Sequence, residues 1–352
     1  MILDILKVFG LAAFAFFFAF FITPFITRYL YKYKLWRKEV RTKSPDGSET
    51  PIFAKLHKDK EVGTPRMGGI IIWLSVLFIA LLFWLLDYLT AYPLFEKLNF
   101  LSRGQTWLPL FTLVAAALVG FADDIFQVFG KGKYIAGGMT FTRRLILIIL
   151  IALVGAWWFY FKLETSGIFI PFYGEISLGY LFPLFFVLTV LATFSGGVID
   201  GLDGLAGGVL AAIFSAYAGI AFFQNQIDLA AFSGVVAGAI LAFLWFNIPP
   251  ARFYMGETGI MGLTTSLTVI AFLTDSVAVL PLIAFPLVLE SASVIIQLLS
   301  KKFRGKKVFL VAPIHHHFEA KGWPSYKVTM RFWVVSVVFA VIGMVVALVG
   351  KI

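Results

Sequence analysis

The chain has 352 residues, of which 60% are apolar and only 14% charged. That balance lies far from the near-half apolar, quarter-charged make-up of water-soluble domains and excludes an ordinary soluble fold. The absence of cysteine excludes disulfides and thiolate metal sites, so any metal must take oxygen or imidazole ligands, while the formal charge of +10 admits either nucleic-acid binding or the positive-inside bias of membrane proteins.

Apolar runs long enough to cross a bilayer, about 20 residues each, are predicted at 8–31, 68–88, 106–122, 143–162, 178–195, 204–223, 228–246, 258–274, 277–299 and 329–350. The first run is too long for a signal-peptide core and leads into Thr23-Pro24 and Arg28 rather than a small-residue cleavage site, so it reads as a retained span. In the ninth, Pro281 and Pro286 interrupt the helical pattern and Glu290 follows in apolar sequence. An intramembrane carboxylate is costly and belongs in a polar interior, which predicts a bent helix beside a cavity.

Alternate loops divide the basic residues unequally. Eleven Lys and Arg lie between 28 and 66, four at 131–144, one at Arg252 and eight at 301–331, making 24 of the 29. Lys7, Lys97, Arg103, Lys162 and Lys351 fall on the other side. The basic excess is therefore a topology signal that needs no nucleic acid, and it places both termini outside the cytoplasm. The expected architecture is an all-α polytopic membrane protein of about ten transmembrane helices, the ninth bent or broken, forming one integral membrane domain over 1–352.

The polar clusters that remain are 56–69, Asp123-Asp124, 196–204, Phe246-Asn247, 255–259 and 313–319. The topology, drawn from hydropathy and basic residues alone, puts all of them on the cytoplasmic side, where they can converge on one site. Asp123-Asp124 ends the third predicted span, and two adjacent carboxylates demand a cation; the plain alternative is a pair of solvated loop acids. Asp200 and Asp203 have the spacing of one helical face and are flanked by glycines that admit a ligand, although Asp200 could equally cap the sixth span. Glu257, between glycines at the start of span eight, suits a helix-terminal acid or an oxygen ligand for a hard cation such as Mg²⁺. His315, His316 and His317 are consecutive and lack the spacing of a helical zinc site, so a loop offering imidazoles to phosphate is expected. Lys58, Lys60 and Lys131 would complement phosphate charge or, more plainly, lipid headgroups. Carboxylates for a metal, cations for diphosphate and a site at membrane level together suit phosphoryl transfer, in which positioning and charge stabilisation carry the catalysis.

At these residues the sequence resembles the polyprenyl-phosphate N-acetylhexosamine-1-phosphate transferase superfamily, most closely its peptidoglycan branch, the phospho-N-acetylmuramoyl-pentapeptide transferases. The resemblance rests on Pro313-Ile314-His315-His316-His317-Phe318-Glu319-Ala320-Lys321-Gly322-Trp323-Pro324 with Arg331-Phe332-Trp333. The order of Gly63-Thr64-Pro65, Met67-Gly68-Gly69, Asp123-Asp124, Asp200-Gly201-Leu202-Asp203-Gly204, Phe246-Asn247 and Met255-Gly256 supports it. It implies ten spans, a Mg²⁺ cofactor, a cytoplasmic-face cleft in the bacterial inner membrane, and a homodimer. It also implies transfer from UDP-N-acetylmuramoyl-pentapeptide to undecaprenyl phosphate, giving lipid I and UMP.

By the same resemblance, Asp123 and Asp124 would be the paired aspartates, and one of them would take the proton of the lipid phosphate or act as nucleophile. Glu257 would stand where the family has a Mg²⁺-binding aspartate, with Asp123 and Asp124 beside it. Asp200 and Asp203 would lie at the nucleoside pocket, Tyr254 would replace a phenylalanine that stacks on uracil, and Asn247 would approach the metal centre. His315, His316 and His317 would contact diphosphate or sugar, Lys60 and Lys131 would serve the substrate, and Glu290 would border the lipid groove. The sequence departs from the family pattern at Gly196-Gly197, where the family is asparagine-rich, at Arg66 in place of threonine, and in an extra residue between Lys60 and Gly63. Two other readings share these features: a sister enzyme carrying N-acetylglucosamine-1-phosphate for surface polysaccharide, and a transporter with Pro-interrupted helices.

Overall fold

A computed structural model describes residues 2–38, 62–90, 92–101, 104–130 and 138–351. The described residues are built almost wholly from long apolar helices: α1 Ile2–Lys32, α2 Ile70–Thr90, α3 Gly104–Phe129, α4 Phe141–Lys162, α5 Gly179–Ile199, α6 Leu205–Phe223, α7 Ile227–Asn247 and α8 Gly256–Leu273. There follow α9 Val277–Ile283 and α10 Phe285–Arg304, bent by 79° at their junction. A short helix α11, Ile314–Ala320, then precedes α12, Ser325–Val349. Nine of these helices are long and apolar enough to cross a membrane, and the bent pair makes a tenth. The polytopic helical architecture stands, and the break falls at Ala284 between Pro281 and Pro286, where proline removes amide donors from the ladder.

Two local expectations are corrected. The third span does not stop at Asp123-Asp124: α3 runs on to Phe129, so both aspartates are helical. A small antiparallel hairpin, β1 Gly167–Ile170 with β2 Gly174–Ser177, pairs Gly167 with Ser177 and Ile170 with Gly174 between α4 and α5.

Packing runs opposite to that of a water-soluble bundle. The helix richest in Gly, Thr and Ser, α8, sits at the centre and buries every residue except Glu257. The more uniformly apolar α1 and α12 turn many large side chains outward, Phe17, Phe21, Val334 and Val337 among them. Lipid is as apolar as leucine, so small and hydroxylated residues go inside, where backbones can approach closely. Gly120 of α3 shows how tight this is: a Cβ there would lie 2.1 Å from the Glu257 carbonyl oxygen. That close crossing seats the last two turns of α3 under the first turn of α8.

Candidate active site

The first turn of α8 collects the acids. Its opening amides have no partner within the helix and carry the positive end of the helix dipole. Asp124 accepts from the Thr258 amide (3.0 Å) and Asp200, from the turn before α6, accepts from the Gly256 amide (3.1 Å). Asp124 is wholly buried; its other oxygen makes no hydrogen bond and faces the Arg66 guanidinium at 3.5 Å. Asp123, equally buried, accepts from Gln127 (2.8 Å) and from the Met139 amide. Gln127 in turn accepts from Arg37 at the end of the first span.

Arg144, at the start of α4, links Asp123 to Glu257. Its Nη1 lies 3.0 Å from the Glu257 carboxylate and 3.6 Å from that of Asp123. Three carboxylates and three guanidiniums thus interleave where α3, α4 and α8 meet the segments that follow α1 and precede α2. Burying an ion without a partner costs several kcal/mol, and here each acid has a cation, an amide or both.

A short zipper holds the preceding segment against this cluster. Gly68 and Gly69 donate to the carbonyls of Tyr254 and Met255 (both 2.8 Å), and the Tyr254 amide donates to Pro65. The run from Gly63 to Gly69 is thereby fixed beside Tyr254, a half-buried residue three positions before Glu257.

Asp200 and Asp203 do not share a helical face. The chain at 200–204 is a turn, and it sends Asp200 to α8 but Asp203 to the Ala251 amide (3.3 Å). Nor does Asp200 cap α6, whose N-cap is Gly204 in the left-handed region. Asn247 spends both ends of its amide on backbone, accepting from Gly204 (3.0 Å) and donating to Phe253 (2.8 Å). From α12, Thr329 donates to the Asp203 carbonyl (3.1 Å) and Trp333 to that of Gly204 (3.0 Å). Asp203 and Asn247 therefore shape the turn that presents Asp200.

The histidines lie on α11, a helix where a loop was expected, and each has a different partner. His315 is buried against Glu290 of α10 (Nδ1 to Oε2, 2.8 Å), and His316 pairs with Glu319 (2.7 Å). His317 turns away, its Nδ1 accepting from the Leu310 amide (3.2 Å). Glu290 is fully enclosed by protein rather than set along a lipid-facing groove. Lys60 and Lys131 lie outside the described residues.

Asp123, Asp124, Glu257 and Asp200 thus meet at one helix end, with His315 and His316 beyond Gly201. Arg144, Arg37 and Gln127 complete the constellation; in the sequence the two arginines look like ordinary positive-inside residues, and Gln127 carries no signal. Among the described residues, no three His, Asp or Glu side chains converge into a ready-made metal cage.

Comparison with known proteins bears on this arrangement. The profile of glycosyl transferase family 4 matches residues 106–275, the stretch from α3 through α8 that holds the acid cluster. The chain is 38% identical to a phospho-N-acetylmuramoyl-pentapeptide-transferase of Geobacillus sp. over 291 residues, 81% of this chain and 84% of the relative. It is 36% identical to the enzyme of that name from Pelagibacter ubique over 309 residues, 82% of this chain and 81% of the relative. A third, from Anoxybacillus flavithermus, is 37% identical over 295 residues, covering 82% and 85%. With identity at this level sustained over four-fifths of both partners, and with the paired aspartates, the helix-terminal acid and the triple histidine in place, the chain belongs to the phospho-N-acetylmuramoyl-pentapeptide transferase family.

Proposed function

We propose that this chain transfers phospho-N-acetylmuramoyl-pentapeptide from its UDP-linked donor to undecaprenyl phosphate, forming lipid I and releasing UMP. The observation that carries this reading is the first turn of α8. Glu257 is the one residue of that helix left unburied, and Arg144 joins it to Asp123. A part-exposed carboxylate beside a second one, with a cation shared between them, is a place to receive a diphosphate and its counterion.

An oxygen of the lipid phosphate attacks the phosphorus next to the sugar; the new P–O bond forms as the bond to UMP breaks. Arg144 joins Asp123 to the part-exposed Glu257 carboxylate, whereas Asp124 faces Arg66, so Asp123 takes the acceptor's proton. Arg144 can exchange its carboxylate partners for phosphoryl oxygens as charge develops.

Glu257, with Asp123 and Asp124, would hold Mg²⁺. The donor set fits: the ligands are hard oxygens, one Asp124 oxygen is buried without a hydrogen bond, and Mg²⁺ needs only one or two carboxylates when substrate phosphates and water supply the rest. When bound, the ion offsets the diphosphate charge. The positive-inside distribution supports a cytoplasmic-face site in the inner membrane with both termini outside, and the family resemblance supports a homodimer.

UMP release by the purified protein, given undecaprenyl phosphate and the muramoyl donor, tests this reading. Release with Mg²⁺ that stops with EDTA and returns on re-addition is expected. Release indifferent to EDTA would remove the metal assignment, and no release from well-folded protein would remove the activity.

A further inference from the structure

His315 and Glu290 form a buried pair to which neither the acid cluster nor the lipid acceptor gives a task. Both side chains are fully enclosed, and the imidazole Nδ1 lies within hydrogen-bond distance of Glu290 Oε2, at 2.8 Å. The other ring nitrogen, Nε2, is buried and makes no hydrogen bond. It faces the turn at Gly201: an alanine methyl there would lie 2.3 Å from His315 Nε2 and 3.1 Å from His316 Nε2. The two rings are 4.0 Å apart, and His316 repeats the pattern, with Nδ1 on Glu319. Two carboxylates from different elements thus hold two imidazoles by Nδ1 and turn both Nε2 atoms to one bare stretch of backbone. That backbone adjoins Asp200, which is bonded to the helix end carrying Glu257.

A carboxylate on Nδ1 fixes both ring orientation and tautomer, leaving Nε2 as the atom that meets a ligand. We infer that Glu290 is a positioning residue that holds His315 Nε2 toward the nucleotide-sugar donor across Gly201, a role that rests on the transferase reading above. Glu290 sits in the second turn after the 79° break between α9 and α10. The break therefore has a use: it swings the start of α10 inward, so that a carboxylate from a membrane helix reaches a histidine on α11. Ser293 accompanies it, donating to the Glu290 carbonyl at 2.7 Å and steadying that turn.

The test is a double-substitution cycle read as kcat and KM for UMP release, with melting of each variant as the folding control. Glu290→Leu should lower kcat about 100-fold, and Glu290→Gln, which keeps the volume and an acceptor for Nδ1–H, about tenfold with unchanged melting. In a His315→Ala background, Glu290→Gln should cost less than about twofold, because its effect runs through His315. An equal cost in both backgrounds, or full activity in Glu290→Gln, would overturn the role. A second readout needs no turnover. The chain has four histidines, so ¹⁵N-histidine spectra of the full-length protein should show an Nδ1-protonated ring that Glu290→Leu loses; its absence from the wild type would also overturn the role. If the wild type shows that ring but releases no UMP, the transferase reading falls and takes the role with it, while the fixed imidazole stands.

Discussion

The two ends of the helix bundle handle buried charge differently. At the end opposite the acid cluster, Lys7 donates to Asp228 and to the Asn99 carbonyl (2.9 Å), while Asn99 spends its own amide on Asp87 (2.8 Å) and on the Leu101 amide (2.9 Å). Nearer the surface, Lys351 donates to the Thr274 carbonyl (3.3 Å) and lies 3.8 Å from the exposed Asp275 carboxylate. These charges close on one another and staple α1, α2, α7 and the chain terminus. At the Asp123 end, by contrast, Arg144 spans two acids, Asp124 and His315 each keep a buried polar atom without a hydrogen bond, and Glu257 stands open. Closed pairs hold a fold together. A cation shared between two acids costs stability unless something else binds there, which is how a site for an anionic substrate differs from a structural ion pair.

Substitutions at the two ends should separate along that line. The largest effect belongs to the carboxylates. Asp123→Asn and Glu257→Ala should each lower UMP release by at least about 10³-fold with little change in melting, whereas Glu257→Asp should stay within about tenfold of wild type. Wild-type turnover in Glu257→Ala would remove Glu257 from the site. Next comes Arg144→Ala, with an expected fall in kcat of about 10²-fold, partly restored by lysine; a change in KM alone would make it a binding contact only.

At the far end the pattern should invert. Asp228→Asn leaves Lys7 buried without its charge partner and should destabilise the protein by about 2 kcal/mol in a detergent melt, while kcat stays within about twofold. A matched fall in kcat would mean that the two ends are coupled.

The smallest effect is a pH response outside the spans. Burial first, and then the charge of Lys321, hold the pKa of His317 below the ordinary histidine value, in keeping with its Nδ1 accepting from the Leu310 amide. The unfolded chain takes up that proton more readily than the folded one. The contribution to stability is therefore full above the ordinary histidine value and is lost as pH falls from there through the lowered folded value. Going from about pH 7.5 to about pH 5.5 should loosen the segment before α11, seen as a few-fold lower protection factor at Leu310 once the intrinsic exchange rate at each pH is divided out. A protection factor that does not change between the two pH values would contradict this.

Much of this was legible in the residues. Ten apolar runs announce ten spans because lipid demands about 20 apolar residues each, a signal that tertiary packing seldom overrides. Pro281 and Pro286 marked the bend, and the acids stood out against an apolar background. The partners did not stand out. Arg144 and Arg37 obey the positive-inside rule so well that a cation reaching into a site looks the same as one meeting headgroups. The seven residues of α11, about two turns, are too few for a helical period to show, so His315–His317 read as a loop. Asp200 and Asp203 matched helical spacing, but the chain at 200–204 is a turn that ends on Gly204 in the left-handed region. Gly201 became meaningful only when an imidazole was found against it.

The most direct test of the transferase account uses UDP-N-acetylmuramoyl-pentapeptide labelled at the phosphorus next to the sugar, with undecaprenyl phosphate and Mg²⁺, run in parallel with UDP-N-acetylglucosamine labelled in the same place. The account predicts that label from the muramoyl donor alone moves into the lipid while the released nucleotide is unlabelled UMP. Label retained in released UDP, or lipid labelled only from the glucosamine donor, would contradict it.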